Sequence, residues 1–301
     1  MDNKDLKNKK ILVLMGGWNE EREVSLASGQ GVLETLLKAG YNATSLDFDH
    51  DFVSKVTKIA PDIVFIALHG KFGEDGRVQS ILDFLKIPYT HSPSVPCSIC
   101  MNKVLSSRVV ESLGLNAPNY AILHKTSSDN NNKISRIGYP IVIKPIDSGS
   151  SVGVEIVNNA SEFDIDKYKW PYGDKVIAQE YISGKEIQVA VLDNKAIGAI
   201  EVRPKSGFYN YESKYTSGMT DYIMPAEIST EHYDESLKIS EIIHGNFDCS
   251  GVSRVDYILN EKNNKLYFLE INTHPGFTEN SLVPKIAKYQ GISFLQVTEY
   301  L

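Results

Sequence analysis

The chain has 301 residues, 42% of them hydrophobic, and a formal net charge of −7. This length and composition allow a substantial buried core and roughly two domains. A net negative charge argues against a protein that coats nucleic acid or anionic membrane, because those partners select faces rich in Lys and Arg. The apolar run at residues 11–15 is too short for a signal peptide, and no apolar stretch approaches the roughly 20 residues that cross a bilayer. We therefore expect a cytoplasmic protein that binds small molecules, and neither nucleic acid nor membrane.

The three cysteines, Cys97, Cys100 and Cys249, are predicted to be reduced structural thiols. Cys97 and Cys100 have CxxC spacing, but no second pair follows and no His stands at a zinc-finger distance. Reduced thiols agree with a cytosolic location, where disulfides rarely persist.

The first third of the chain predicts a doubly wound α/β unit. Residues 11–15 and 63–68 are short apolar runs typical of buried parallel strands, and a helical pattern that ends at Gly40 lies between them. The apolar stripe of that helix consists of Val24, Leu26, Val32, Leu33, Leu36 and Leu37. In open sheets of this kind ligands bind beyond the carboxyl ends of the strands, where Gly16-Gly17 and His69-Gly70 follow.

From about Leu123 the pattern favours antiparallel sheet. Extended runs occur at residues 139–144, 154–157, 176–182, 186–192 and 196–202. Asp193-Asn194-Lys195 has the composition of a hairpin turn between the last two runs. Residues 204–221 show no periodicity, and a loop of that length within a compact domain is usually functional.

A second hairpin is predicted to hold a metal. Residues 252–258 and 266–272 alternate in polarity, and a polar turn centred near residue 263 places Asp256 opposite Glu270 and Arg254 opposite Asn272 on one face. Two opposed carboxylates need a cation between them, and oxygen ligands suit Mg²⁺. The competing interpretation is a solvated sheet face on which Arg254 pairs with the acids.

Lys144 and the Gly/Ser loop at residues 147–153 are typical of a phosphate site, because backbone amides, hydroxyls and an ammonium all bind phosphate oxygens. The loop is not a Walker A motif. It also fits GxSxG around Ser151, the nucleophile elbow of serine hydrolases, with Asp256 and His274 in the right order. That elbow requires a helix after the serine, whereas residues 154–157 predict a strand.

Several sequence blocks, in combination, resemble the ATP-grasp superfamily and, within it, the D-alanine:D-alanine ligases. They are Gly16-Gly17, Glu21 to Leu26, Ala67 to Gly70, Gly73 to Gly76, Met101-Asn102-Lys103, Lys144-Pro145, Gly149 to Gly153, Tyr209 to Tyr215, Arg254-Val255-Asp256, Glu270 to Thr273, Pro275-Gly276 and Ser281-Leu282.

The resemblance implies an N-terminal α/β substrate-binding domain (residues 1–96), then a central ATP-grasp subdomain (97–184) and a C-terminal catalytic subdomain (185–301) with antiparallel sheets. It implies that ATP and two D-alanine molecules yield D-alanyl-D-alanine for peptidoglycan through an acyl phosphate. Two Mg²⁺ ions are implied, with Mn²⁺ able to replace them, and the chain is expected to form a homodimer.

The resemblance also implies a role for individual residues. The residues expected to contact the phosphates are Lys103, Lys144, Lys214, Ser150 and Ser151. Those expected to contact adenine are Gln179, Glu180, Tyr181 and Ile182, and Glu186 is expected to contact the ribose. The metal ligands are Asp256, Glu270 and Asn272. Glu21, Ser150 and Tyr215 form a triad that holds the first D-alanine near His69, Arg254 and the Gly276 amide form the oxyanion hole, and Ser281 and Leu282 receive the second carboxylate.

Alternatives remain at this point. Another ATP-grasp ligase, such as one that makes a D-lactate depsipeptide, shares most of these residues, although Tyr215 favours an amine as the second substrate. A catalytically silent nucleotide-binding module is a further alternative, which retention of both acids and Arg254 disfavours. Gln179 stands where many relatives have Glu.

Overall fold

The computed structural model describes residues 6–205, 216 and 218–301. The block at residues 209–215, and with it the roles expected of Lys214 and Tyr215, lies outside the described residues. Across the described ranges the predicted fold class is confirmed, with a parallel sheet followed by two antiparallel sheets. Those ranges contain no helix of the length and apolar character that spanning a membrane requires.

The N-terminal domain is a three-stranded parallel sheet with strand order β2-β1-β3. Its elements are β1 (Ile11–Gly16), α1 (Arg22–Lys38), β2 (Ala43–Phe48), α2 (Phe52–Ile59), β3 (Ile63–Ile66) and α3 (Arg77–Leu85). Every residue of β1 is buried, as expected for the central strand of a sheet that is covered on both faces.

Two helices lead into a four-stranded antiparallel sheet with strand order β4-β7-β5-β6. The elements are α4 (Ser94–Met101), α5 (Lys103–Ser112), β4 (Tyr120–His124), α6 (Asn130–Ile137), β5 (Ile141–Pro145), β6 (Glu155–Val157) and β7 (Lys175–Glu180). The predicted strands at 139–144, 154–157 and 176–182 are confirmed, with ends that differ by one or two residues.

The last part of the chain forms a five-stranded antiparallel sheet with strand order β10-β9-β8-β11-β12. Its elements are β8 (Gly184–Leu192), β9 (Lys195–Pro204), β10 (Thr220–Ile223), α7 (Thr230–Asn246), β11 (Val252–Asn260), β12 (Lys265–Asn272), α8 (Leu282–Tyr289) and α9 (Phe294–Tyr300). Asp193 and Asn194, both with positive φ, turn β8 into β9 as predicted.

The β11–β12 hairpin has the predicted register at its functional end. Arg254 pairs with Asn272, and Asp256 pairs with Glu270. One step further, between Asp256 and Tyr257, the register shifts by a residue at a bulge. The two acids therefore lie opposite each other on adjacent strands, as predicted, whereas the pairs nearer the turn, such as Ile258 with Tyr267, are one residue out of the predicted register.

The buried side of α1 differs from the predicted aliphatic stripe. Its buried residues include Ser25, Ser28 and Gly29, whereas Leu37 is 51% exposed. A Cβ on Gly29 would lie 2.5 Å from the Cβ of Met15 on β1. The helix therefore approaches β1 closely at Gly29. Of the predicted stripe, Val32 and Leu36 are buried and Leu26 and Leu33 pack against the core, whereas Leu37 is exposed.

One hydrophobic core joins the two ends of the chain. It includes Val13 and Phe65 of the N-terminal sheet together with Ala190 and Ile200 of the five-stranded sheet. The four-stranded sheet has a separate core that contains Ile141 and Val176. The N-terminal domain thus packs directly on the sheet that carries Asp256 and Glu270.

Candidate active site

A cleft of about 540 Å³ lies between the two antiparallel sheets. Its walls contain apolar residues from both sheets, among them Val142 and Leu269. The predicted residues that line it are Lys103, Lys144, Ser151, Gln179, Glu180, Tyr181, Ile182, Glu186, Asp256 and Glu270. Size, apolar walls and a few convergent charges are the properties of a small-molecule site.

Lys103 is placed at one end of this cleft by the start of α5. The side chain of Asn102 caps the helix and accepts hydrogen bonds from the amides of Val104 and Leu105. The Lys103 ammonium donates to the Ser148 carbonyl at 2.5 Å and lies 3.7 Å from the Glu270 carboxylate. A buried cation thus connects the Gly/Ser loop to the acidic hairpin.

Lys144 stands at the end of β5, with only 9% of its surface exposed. Burial, followed by the neighbouring charge of Lys103, lowers the pKa of Lys144 to about 8, and Glu270 acts in the opposite direction. Two clustered ammonium groups in a partly dry cleft would both be stabilised by an anion such as a phosphate chain.

The Gly/Ser loop turns sharply after Gly149. Ser150 and Ser151 both have positive φ, a conformation that non-glycine residues adopt rarely. The Ser150 hydroxyl donates a hydrogen bond to the Glu21 carboxylate, which is 129 positions away in sequence. Ser151 lines the cleft. Adjacent serines therefore face the N-terminal domain on one side and the lysine cleft on the other.

Asp256 is buried and Glu270 is partly exposed, so the two acids do not form a solvated sheet face. Asp256 is 3% exposed and accepts two hydrogen bonds from the Arg254 guanidinium, at 2.8 and 2.7 Å. Asn272 Nδ2 lies 3.3 Å from the same carboxylate. Arg254 does pair with an acid, as the competing interpretation had it, but away from bulk water.

Within the described residues there is no group of three or more His, Cys, Asp or Glu side chains that could hold a metal. The predicted set is instead two carboxylates and an amide, Asp256, Glu270 and Asn272. Their oxygen donors and the direct pairing of the two acids fit a hard divalent cation. These residues therefore satisfy the chemistry of a Mg²⁺ site.

Glu21 directly precedes α1 and is 9% exposed. Gly70 faces it: its φ of +65° favours glycine, and a Cβ here would lie only 2.2 Å from Glu21 Oε2 and would displace the carboxylate. The His69 ring nitrogens lie 3.0 Å from Ser28 Oγ and 3.2 Å from Glu74 Oε1. Burial opposes charge on His69, but the hydrogen bond with Glu74 and the nearby carboxylates raise its pKa overall.

Gly276 and Ser281 lie together. A Cβ on Gly276 would meet Ser281 Oγ at 3.1 Å, and that hydroxyl accepts a hydrogen bond from the Thr278 amide at 3.0 Å. Ser281 precedes α8, and Leu282 is its first residue. A helix N-terminus presents backbone amides and a partial positive charge, which suits a carboxylate.

The residues expected to contact adenine and ribose lie along β7 and β8 and between these strands. Gln179 is 2% exposed, and Glu180 accepts a hydrogen bond from Asn119 Nδ2 at 2.8 Å. Gln188 donates to Glu186 at 2.8 Å. These contacts orient the side chains along the cleft wall.

The sequence reasoning missed a charged cluster in the same cleft. Glu201 on β9 is 2% exposed and contacts Arg203 at 2.6 Å and Lys185 at 3.5 Å. An acid within the apolar run 196–202 was the available signal. Ser28 and Glu74, which contact the His69 ring, were likewise assigned no role from the sequence.

The serine-hydrolase alternative is wrong for this fold. Ser151 leads into strand β6 rather than a helix, so the nucleophile elbow is absent here. Asp256 contacts Arg254 and Asn272, whereas the His274 ring contacts Gln79 and Thr273. The three residues do not form a triad.

Solved structures of ligases share this architecture. The D-alanine–D-alanine ligase from Bacillus anthracis complexed with ATP aligns with a TM-score of 0.85 and 30% identity, covering 97% of this chain and 95% of that chain. The VanG D-Ala:D-Ser ligase from Enterococcus faecalis aligns with a TM-score of 0.82 and 28% identity, covering 98% and 100%.

Two antiparallel sheets around a lysine-lined cleft, with a parallel-sheet domain packed against them, define an ATP-grasp ligase. The family model described as D-ala D-ala ligase C-terminus matches residues 109–301, and the N-terminus model matches residues 52–92. The D-alanine–D-alanine ligase of Rickettsia bellii is 44% identical over 98% of this chain and 91% of its own length, and that of Rickettsia canadensis is 43% identical over 97% and 82%. The chain belongs to the D-alanine–D-alanine ligase family.

Proposed function

We propose that this chain uses ATP to join two D-alanine molecules into D-alanyl-D-alanine, for peptidoglycan synthesis in the cytoplasm. The observation that carries the proposal is the hydrogen bond between Ser150 and Glu21. This hydrogen bond brings a buried acid of the N-terminal domain next to the Gly/Ser loop. Ser151, the residue after Ser150 in that loop, lines the lysine cleft. A site for an ammonium thus adjoins a site for phosphates.

The first step in this mechanism is attack of one D-alanine carboxylate on the γ-phosphorus of ATP. Glu21 holds the ammonium of that D-alanine, while Lys103 and Lys144 neutralise the phosphate oxygens that the carboxylate must approach. Asp256, Glu270 and Asn272 would hold Mg²⁺, which supplies further positive charge at the phosphates. The bond to ADP breaks and an acyl phosphate forms.

In the second step, the amine of another D-alanine attacks the acyl carbon. Its carboxylate lies at the N-terminus of α8, beside Ser281 and Leu282. The guanidinium of Arg254 and the Gly276 amide stabilise the oxyanion of the tetrahedral intermediate. Collapse of that intermediate expels phosphate and leaves the peptide bond.

We further propose the remaining assignments on the basis of family membership. Residues 1–96, 97–184 and 185–301 act as the substrate-binding, central and catalytic units, and the chain works as a homodimer. Gln179 to Ile182 contact adenine, Glu186 contacts the ribose, and Lys214 and Tyr215 complete the phosphate and first-substrate contacts.

An isotope experiment tests the acyl phosphate directly. D-alanine labelled with ¹⁸O in its carboxylate must pass one labelled oxygen to inorganic phosphate, because that oxygen bridges carbon and phosphorus in the intermediate. Mass spectrometry of the phosphate and the dipeptide measures the transfer. Unlabelled phosphate released together with dipeptide would contradict this route.

The identity of the second substrate needs a separate experiment, because one structural neighbour is a D-Ala:D-Ser ligase. With D-alanine as the first substrate, we expect D-alanine to be preferred over D-serine and D-lactate as the second. Product analysis with each compound would show a depsipeptide if D-lactate were the true substrate.

A further inference from the structure

Two buried histidines without a role in the proposed chemistry lie where the N-terminal domain meets the loop at residues 273–277. His274 belongs to this loop, and His91 belongs to the segment that follows β3. They are 2% and 6% exposed. Their rings stack with centroids 4.4 Å apart and planes 22° from parallel.

Gln79 of α3 contacts the edge of the His274 ring. Its Nε2 lies 2.6 Å from the Gly73 carbonyl and 3.3 Å from His274 Nε2. The carbonyl takes one amide proton, so the other points at the ring nitrogen, which must accept it. His274 is therefore neutral, with its own proton on Nδ1, where Thr273 Oγ1 lies 3.2 Å away.

The next residues of the loop are also attached to the N-terminal domain. The Phe277 amide donates to Ser28 Oγ at 3.4 Å, and the Phe277 ring lies 5.6 Å from that of Phe65. Gly276 is thus situated between two attachment points, His274 and Phe277. Both attachments are made to the domain that carries Glu21.

We propose that His274 is a positioning residue: held by His91 and Gln79, it fixes the place of the Gly276 amide relative to the substrate that Glu21 binds. This inference rests on the proposed function, in which one domain holds the first D-alanine and another supplies the oxyanion donor. Such a reaction depends on the position of the oxyanion donor relative to the bound D-alanine, since misplacing a group by about 1 Å can reduce the rate about a hundredfold.

The test is a comparison of kcat and KM in His274→Ala. We expect kcat to fall by about tenfold to a hundredfold, because the Gly276 amide acts on the oxyanion of the transition state. The KM for ATP should stay within about twofold of the wild-type value, because the cleft residues are unchanged.

His91 supplies the conservative comparison. His91→Phe keeps an aromatic ring against His274 and should retain most of the wild-type kcat. His91→Ala removes the ring and should show the same kind of loss as His274→Ala. Equal activity in His91→Ala and His91→Phe would show that ring stacking does not fix the position of the loop at residues 273–277.

His244→Ala is the matched control for losing a buried histidine. Its Nδ1 lies 2.7 Å from Ser253 Oγ, and Ser253 faces the opposite side of β11 from its neighbour Arg254. This variant should lose stability without losing kcat per folded molecule. A fall in kcat equal to that of His274→Ala would assign the effect to general destabilisation and overturn the proposal.

Amide hydrogen exchange at residues 272–277 provides a readout that does not depend on turnover. His274→Ala should accelerate exchange there, and His244→Ala should not. Wild-type enzyme without D-alanine-dependent phosphate release would contradict the proposed function alone. Unchanged exchange in His274→Ala, or unchanged kcat in an active His274→Ala enzyme, would overturn the positioning role.

Discussion

Glu21 carries the charge by which the proposed first-substrate site selects an ammonium. Replacing it with Gln keeps the shape but removes that charge. We expect Glu21→Gln to raise the KM for D-alanine by about tenfold to a hundredfold, in line with the strength of a charge-assisted hydrogen bond. Steady-state kinetics with each substrate varied in turn would measure the change.

The neighbouring acid Glu20 is exposed and gives the matched control. Glu20→Gln should leave both KM values unaltered, and the KM for ATP should be unaltered in either variant. A Glu21→Gln enzyme with the wild-type KM for D-alanine would remove Glu21 from the substrate site.

His91 should make the stability of the fold depend on pH. Burial, with the charge of His69 adding to it, lowers the pKa of His91 to about 3. An unfolded chain binds this proton near pH 6.5, so between about pH 6.5 and 3 the unfolded state holds more protons. The contribution of His91 is fully present above about pH 6.5 and is lost at about 1.4 kcal/mol per pH unit as the pH falls.

Urea unfolding at several pH values, compared between wild type and His91→Phe, isolates this group. The variant cannot take up the proton, so its free energy of unfolding should fall less steeply below about pH 6. Parallel curves for the two proteins would contradict the assignment of a neutral, buried His91.

At the scale of elements, the turn before α3 depends on Gly76. Its φ is +88°, and a Cβ would lie 2.3 Å from the carbonyl oxygen of Ser94. Gly114 has a φ of +73° but open space around it. We expect Gly76→Ala to lower the free energy of unfolding by about 1–3 kcal/mol more than Gly114→Ala, because only Gly76→Ala adds overlap with backbone to the strain of φ. Equal losses in urea unfolding would contradict this.

The elements show what local pattern can and cannot predict. Alternating polarity and a turn placed near residue 263 predicted the pairing of Asp256 with Glu270, but that pairing also depends on the bulge, because the pairs nearer the turn are one residue out of the predicted register. The bulge leaves Leu269 of β12 out of the pairing register, and the run of apolar residues from Leu266 to Leu269 does not indicate which of them is skipped. The buried face of α1 was predicted only in part for a related reason: close approach to a sheet selects small residues such as Ser and Gly, which polarity patterns assign to the surface.

The whole molecule brings together residues that no local pattern relates. Ser150 contacts Glu21 across 129 positions, and Gln79 contacts His274 across 195. The resemblance to ligases assigned roles to Ser150 and Glu21, because matching sequence blocks imply the same fold and therefore the same contacts. It named neither Gln79 nor His91, and the contacts between domains that define their surroundings exist only in the folded chain.

Binding of ATP should stabilise the molecule as a whole, because the cleft is shared by two sheets. With free Mg·ATP at about 100 times its Kd, the folded state gains about 2.7 kcal/mol, which raises Tm by several degrees. Lys144→Met removes a buried ammonium from the cleft and should reduce this increase. An ATP-induced shift of the same size in both proteins, measured by thermal unfolding, would contradict the phosphate role of Lys144.

The central claim is that ATP cleavage depends on D-alanine and on the acidic hairpin. Phosphate release from Mg·ATP should require D-alanine, should not occur with L-alanine or D-lactate alone, and should be lost in Asp256→Asn but retained in Asp234→Asn, a change on the exposed surface of α7. Release that ignores D-alanine, or no release from the wild-type protein, would contradict the ligase assignment and leave only the ATP-grasp fold.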